Sequence, residues 1–117
     1  MWKIRTHRLG IDQGSVLLFN DFKHDGQMWT GEGDRELRRL IEFSESFLTA
    51  PAVKVGLSMW DADHTVNQRM DIVSENITAK GFDLVFRTWG DTRIARARAE
   101  WMAMGEVEHE DDWDLSG

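Results

Sequence analysis

Short segments in which apolar and polar residues alternate recur along this chain, and turn signals separate them. Alternation with a period of two is typical of a strand that buries one face. Strands are predicted in six segments: residues 15–22, 35–43, 53–60, 66–78, 81–89 and 93–104. The turn signals include HDGQ, GEGD, DADH, AKGF and WGDT. This spacing predicts an all-β sandwich or barrel whose loops collect at its two ends.

Two of these segments have a composition that also favours helix. RELRRLIEF (35–43) and RIARARAEWMAM (93–104) are rich in Arg, Glu, Leu, Ala and Met, which are good helix formers. The alternation in the first segment is only partial, so helix and strand both remain open there. In the second segment alanines alternate with charged residues, and a helix of that composition would scatter its arginines and leave no apolar stripe. We therefore predict a strand for 93–104.

The alternation also predicts which side chains face the core. In 53–60 the residues on one face are Val53, Val55, Leu57 and Met59. In 81–89 the inward residues are Phe82, Leu84 and Phe86. Trp89 falls on the opposite face and is followed at once by a Gly-Asp turn, which is too small to cover an indole. We predict that Trp89 is an exposed stacking surface rather than a core residue.

The charge of the chain is unevenly distributed. Six of the carboxylates behind the net charge of −7 lie in residues 106–117, and the remainder of the chain is nearly neutral. We therefore predict one domain over 1–105 and an acidic tail over 106–117. Nucleic acids and anionic membranes require clustered Lys and Arg, so neither is an expected partner. A neutral or weakly charged ligand is more consistent with this charge distribution.

Several classes of chemistry have no support in the sequence. Cysteine is absent, which excludes disulfides, thiolate metal sites and cysteine nucleophiles. DADH (61–64) and DFKHDG (21–26) contain Asp and His but lack metal-ligand spacing, so their aspartates are predicted to cap turns. No nucleophile motif is present, and we expect neither an enzyme nor a metal or other cofactor.

The compartment stays open from sequence alone. No apolar run is long enough to span a membrane, and no signal-peptide core follows the charged N-terminal residues. A cytoplasmic location and export by a non-classical route are both compatible with these features.

Two polar features are candidate ligand contacts. Arg69 is predicted in mid-strand, either facing solvent or aiming its five N–H donors at ligand hydroxyls or a neighbouring subunit. The loop WTGEGDRE (29–36) is either a simple turn or a site that presents Glu32 and Asp34 to the hydroxyls of a neutral sugar. Trp89 would then pack against the C–H face of the sugar ring.

The ordered set RELRRLIEF, PAVKVGLSMWDAD, NQRMDI, NITAKGFDLVFRTWGDT and EWMAMG resembles the H-type lectin domain, known from snail agglutinins and the discoidins. The resemblance runs from about Gly31 to Gly105. It implies a six-stranded antiparallel β-sandwich that assembles as a homotrimer, or as a hexamer of paired trimers. It also implies that terminal galactose or N-acetylgalactosamine binds in clefts between subunits, without a metal.

The resemblance further implies a set of sugar contacts. These are Glu32, Asp34, Arg69, Trp89, Gly90 and Asp91. Gly90 stands where the family has a histidine, and Ala95 stands where it has an aromatic residue. Asp91 is the candidate replacement for part of the lost polar contact. The alternative hypothesis is a trimeric interaction module of a larger phage-like or cell-surface assembly that has lost sugar binding.

Overall fold

The computed structural model describes residues 1–20 and 26–108, whose six strands form two three-stranded antiparallel sheets. The strands are β1 (Leu9–Asn20), β2 (Arg35–Glu42), β3 (Ala52–Ala62), β4 (Met70–Glu75), β5 (Gly81–Thr88) and β6 (Ile94–Glu106). A short helix, α1 (Gln27–Thr30), lies between β1 and β2. The strand order is β1-β6-β3 in one sheet and β2-β5-β4 in the other. The predicted all-β sandwich is confirmed.

The core lies between the inner faces of the two sheets. Phe82, Leu84 and Phe86 of β5 are fully buried, as the alternation predicts. They face the alanines of β6, whose small side chains let the sheets approach, and Trp101 of the same strand. The ring centroids of Phe82 and Trp101 lie 5.7 Å apart in an edge-to-face arrangement. The prediction of a strand for 93–104, against its helical composition, is confirmed.

The first strand begins at Leu9, six residues before its predicted start. The first half of β1 was not recognised as a strand, because glycines occupy inner-face positions where the alternation would require apolar residues. A Cβ at Gly14 would lie 2.7 Å from Nε1 of Trp101, the residue with which it pairs on β6. Glycine is therefore needed there to accommodate the indole. Residues 21 and 22 of the predicted strand lie outside the described residues.

A β-bulge in β3 changes which face its second half presents. Leu57 pairs with Ala99, but Met59 pairs with Arg98, so Ser58 is an extra residue between them. Paired residues of an antiparallel ladder share a face, and Arg98 points away from the core. The prediction that Met59 shares the inner face with Val53, Val55 and Leu57 is therefore wrong.

The sandwich continues slightly beyond residue 105. β6 runs to Glu106, and Val107 is buried, with its N–H donating to the carbonyl of Arg8 at 3.2 Å. The predicted acidic tail from His109 onward lies outside the described residues. Among the residues described, no helix is long and apolar enough to cross a membrane.

Candidate functional site

Trp89 lies directly after β5, at one end of the sandwich. Thr88, the last residue of the strand, is buried, whereas Trp89 is 40% exposed. The predicted exposure of the indole is confirmed. Trp89 lines an open cleft of about 350 Å³ together with Asp34, Arg35, Glu36, Arg87 and Thr88. The structure thus brings Asp34 and Trp89, two of the predicted contacts, into one cleft.

Arg69 does not lie in mid-strand as predicted, because β4 begins one residue later, at Met70. Its guanidinium donates through Nη1 to Oδ1 of Asp91 at 2.8 Å. The structure therefore brings together Arg69 and Asp91, which the sequence named separately. Asp91 is two residues after Trp89 in the chain, and both side chains of the ion pair are partly open to solvent.

Two buried threonines hold the segment that carries Arg69. The hydroxyl of Thr88 donates to the carbonyl of Arg69 at 2.6 Å, and the backbone N–H of Arg69 donates to the hydroxyl of Thr92 at 3.0 Å. The hydroxyl of Thr92 in turn donates to the carbonyl of Asn67 at 2.6 Å. These bonds replace the strand ladder that was predicted for residues 66–69. Sequence reasoning missed both threonines, because a single threonine carries no pattern.

The pKa of Asp91 lies below its ordinary value. Partial burial raises its pKa, but hydrogen bonds from Asn67 and from its own backbone, together with the charge of Arg69, lower the pKa overall. An ionised carboxylate is an acceptor only, so it can receive hydrogen bonds from ligand hydroxyls as well as from Arg69.

Gly90 connects the two loops of the site through its backbone. It has a φ of +70°, and its carbonyl accepts the N–H of Gly33 at 3.0 Å. A Cβ at this position would lie 3.1 Å from Nη1 of Arg69. A histidine here would therefore strain the backbone and displace Arg69.

Arg35 is a further residue of the site that sequence reasoning missed. It is 6% exposed, and its guanidinium donates to four carbonyls: Gly33 at 3.0 Å, Met28 and Gly90 at 3.3 Å, and Gln27 at 3.4 Å. Burial lowers the pKa of Arg35, and the carboxylate of Glu32 opposes that shift. Arg35 thus fastens α1, the GEGD loop (31–34) and the WGDT turn (89–92) to one another. The sequence feature that could have identified Arg35 is its place in the alternation of β2. It lies on the same inward-facing side of the strand as Leu37 and Ile41.

Glu32 is exposed at the rim of the site and does not line the cleft of Trp89. Its charge raises the pKa of the buried Arg35 guanidinium, and its contact with a ligand stays a prediction.

The DADH run serves as a turn. Oδ1 of Asp63 accepts the N–H of Thr65 at 2.9 Å and its hydroxyl at 2.7 Å, which lowers the pKa of Asp63. The turn-capping interpretation is confirmed for this aspartate. Within residues 1–20 and 26–108, no three or more His, Asp or Glu side chains are grouped to hold a metal ion. Most of the DFKHDG run lies outside those ranges.

Comparison with known sequences places the site in context. The model of the H-type lectin domain family matches residues 38–104. "ATP synthase subunits region ORF 7" of Fuscovulum blasticum is 59% identical over 107 residues, covering 92% of this chain and 93% of that protein. Discoidin-2 of Dictyostelium discoideum is 39% identical over 82 residues, covering 68% of this chain and 32% of discoidin-2.

Solved structures agree with the sequence comparisons. Recombinant discoidin II of Dictyostelium discoideum superposes with a TM-score of 0.74 at 28% identity, covering 91% of this chain and 41% of that one. The tailspike protein gp49 of Pseudomonas phage LKA1 superposes with a TM-score of 0.52 at 13% identity, a likeness of fold alone that covers 86% of this chain and 15% of that one. The chain thus spans less than half of the discoidins it matches. On the family match and these relatives, the chain belongs to the H-type lectin domain family, whose members are carbohydrate-binding modules rather than enzymes.

Proposed function

We propose that this domain binds a terminal sugar of the galactose or N-acetylgalactosamine type at the end of the sandwich that carries Trp89. The observation that carries the proposal is the 40%-exposed indole, which shares an open cleft with Asp34. An indole supplies an apolar surface for the C–H face of a sugar ring. Carboxylates and guanidinium groups supply the acceptors and donors that sugar hydroxyls need.

The polar contacts come from two loops that the backbone joins. Gly33 and Gly90 are hydrogen-bonded, so the GEGD loop, with Glu32 and Asp34, is held next to the turn that carries Trp89 and Asp91. Arg69 extends this polar surface through its ion pair with Asp91. Since Gly90 offers no imidazole, Asp91 takes over the polar role beside the indole.

We further propose that the domain works as a homotrimer with its sugar sites in clefts between subunits. Four large apolar side chains are exposed on the outer face of the β1-β6-β3 sheet: Leu9, Ile11, Leu17 and Met102. Covering these side chains with other copies of the chain would remove them from water. Several weak sugar sites on one assembly also gain avidity through effective concentration.

A second candidate function has one observation in its favour. Arg69 and Asp91 satisfy each other at 2.8 Å, so a sugar must compete with or share an existing ion pair. A trimeric interaction module without sugar binding would keep the Arg69–Asp91 ion pair intact. It would use the same fold to attach to a larger assembly.

A glycan array with the purified protein, whose oligomer mass is measured on the same sample, tests the two functions. Selective binding to terminal galactose or N-acetylgalactosamine is expected. A blank array from a folded trimer would support the interaction module instead.

Three variants test the site. Trp89→Ala and Arg69→Ala should abolish binding while leaving the circular dichroism spectrum unchanged. The matched control is Trp2→Ala, since Trp2 is exposed at the opposite end of the domain, near Gly105 and Glu106. Normal binding by both site variants would remove the site assignment.

A further inference from the structure

Four charged side chains form a closed ring on the outer face of the β2-β5-β4 sheet. We call this set, Glu36, Arg38, Glu75 and Arg87, the ion ring. Arg87 donates to Oε1 of Glu36 and to Oε1 of Glu75, both at 2.9 Å. Arg38 donates to Oε2 of Glu75 at 2.9 Å and to Oε2 of Glu36 at 3.3 Å. Each carboxylate therefore bridges both guanidinium groups.

The ion ring holds its members in fixed directions. Every side chain in it is tied by two hydrogen bonds, and Val85, which pairs with Arg38 on the neighbouring strand, is 0% exposed beneath it. Hydrogen bonds from Arg87 and Arg38 lower the pKa of Glu75, so this carboxylate stays charged at neutral pH. Polar groups that are already oriented lose little entropy when a ligand binds to them.

Half of the ion ring belongs to the cleft of Trp89. Glu36 and Arg87 line that cleft, whereas Arg38 and Glu75 do not. Within the described residues, Nη1 of Arg87 makes no hydrogen bond, and each oxygen of Glu36 accepts only one. The cleft thus runs from the apolar indole of Trp89 to a donor, Arg87, and an acceptor, Glu36, and each can form further hydrogen bonds.

We infer that Glu36 and Arg87 form a second subsite, which binds the uncharged sugar unit attached to the terminal one. The inference rests on the proposed function, since it requires a terminal sugar at Trp89. A hydroxyl-bearing unit can accept from Arg87 and donate to Glu36. An acidic sugar is disfavoured, because Asp83 lies 3.8 Å from Arg38 and gives the surface three carboxylates against two guanidinium groups.

Titration calorimetry on the full chain, with methyl β-galactoside and lactose as probes, tests the subsite. Lactose should bind about tenfold more tightly than methyl β-galactoside, the effect of one added hydrogen bond to a charged group. Arg87→Gln should remove this gain, so that the variant binds lactose no more tightly than it binds methyl β-galactoside. Arg38→Gln is the matched control, because it breaks the same ring without touching the cleft.

The outcomes separate the subsite from the proposed function. Equal affinity of the wild type for both probes, or equal loss of the gain in Arg87→Gln and Arg38→Gln, would overturn the subsite alone. Failure of the wild type to bind either methyl β-galactoside or the corresponding N-acetylgalactosaminide would overturn the terminal site and the subsite together. If Arg87→Gln does not fold, Glu36→Gln takes its place, with the same loss of the lactose gain expected.

Discussion

The outer faces of the two sheets differ in how far their apolar residues are covered by polar side chains. On the β2-β5-β4 sheet the ion ring pairs its own charges and covers Val85 completely. On the β1-β6-β3 sheet Ile11 is 57% exposed, and Leu9, Leu17 and Met102 are also open to water. Of the large apolar side chains described on the first face, only Leu40 is exposed, whereas the second face exposes several.

The difference originates in the residues that stand opposite one another. Neighbouring strands place Glu36 beside Arg87, and cross-strand pairs of opposite charge stabilise a sheet surface. On the other sheet Ile11 pairs with Met104, so two apolar side chains stand opposite one another there. The first face is the one to which we assign the proposed polar ligand, and the second is the one to which we assign the proposed contact with another copy of the chain.

The largest expected effect is on assembly. The double variant Ile11→Asp with Met102→Asp should dissociate the proposed trimer to monomers, because it places charges in the apolar patch. Analytical ultracentrifugation at micromolar concentration measures this. Leu40→Asp is the control, since Leu40 is 67% exposed on the outer face of the other sheet and should leave the trimer intact. A trimer that survives the double variant would show that this face is not the interface.

A smaller effect is expected on stability. Val85→Ala should lower the free energy of unfolding by about 2 kcal/mol, because it removes buried methyl groups beneath the ion ring. Leu40→Ala on the same face should change it by less than about 0.5 kcal/mol. Urea unfolding of both variants provides the comparison, and similar losses would mean that the ion ring does not shield Val85 in solution.

The smallest expected effect is a pH dependence. The pKa of Glu75 is lowered below 4.5, first by the hydrogen bond from Arg87 and then by that from Arg38. A lowered folded-state pKa contributes stability that is present above the unfolded pKa and is lost as the pH falls through the folded one. The difference in melting temperature between the wild type and Glu75→Gln should therefore be full at neutral pH and shrink below about pH 4.5.

The control for the pH dependence is Glu100→Gln, on the outer face of the other sheet. Within the described residues Glu100 makes no ion pair. Its substitution should leave the acid side of the stability curve as it is in the wild type. A difference for Glu75→Gln that stays constant down to pH 3 would contradict the role of the ring.

Only part of the candidate site was predictable from sequence. The exposure of Trp89 follows from its parity after Phe86 and from the small turn behind it, which are local features. The Arg69–Asp91 ion pair and the four carbonyl contacts of Arg35 join segments far apart in the chain. The alternation of apolar and polar residues within one segment carries no information about contacts between distant segments, so these contacts could not be predicted.

The sequence alone determined the all-β class and the inner face of β5, because apolar and polar residues alternate within that one segment, with Phe82, Leu84 and Phe86 buried. Tertiary structure alone decided the rest. The bulge that turns Met59 away from the core and the closure of the ion ring both depend on what stands across the sheet. Strand register sets those neighbours, and register is a property of paired strands rather than of one segment.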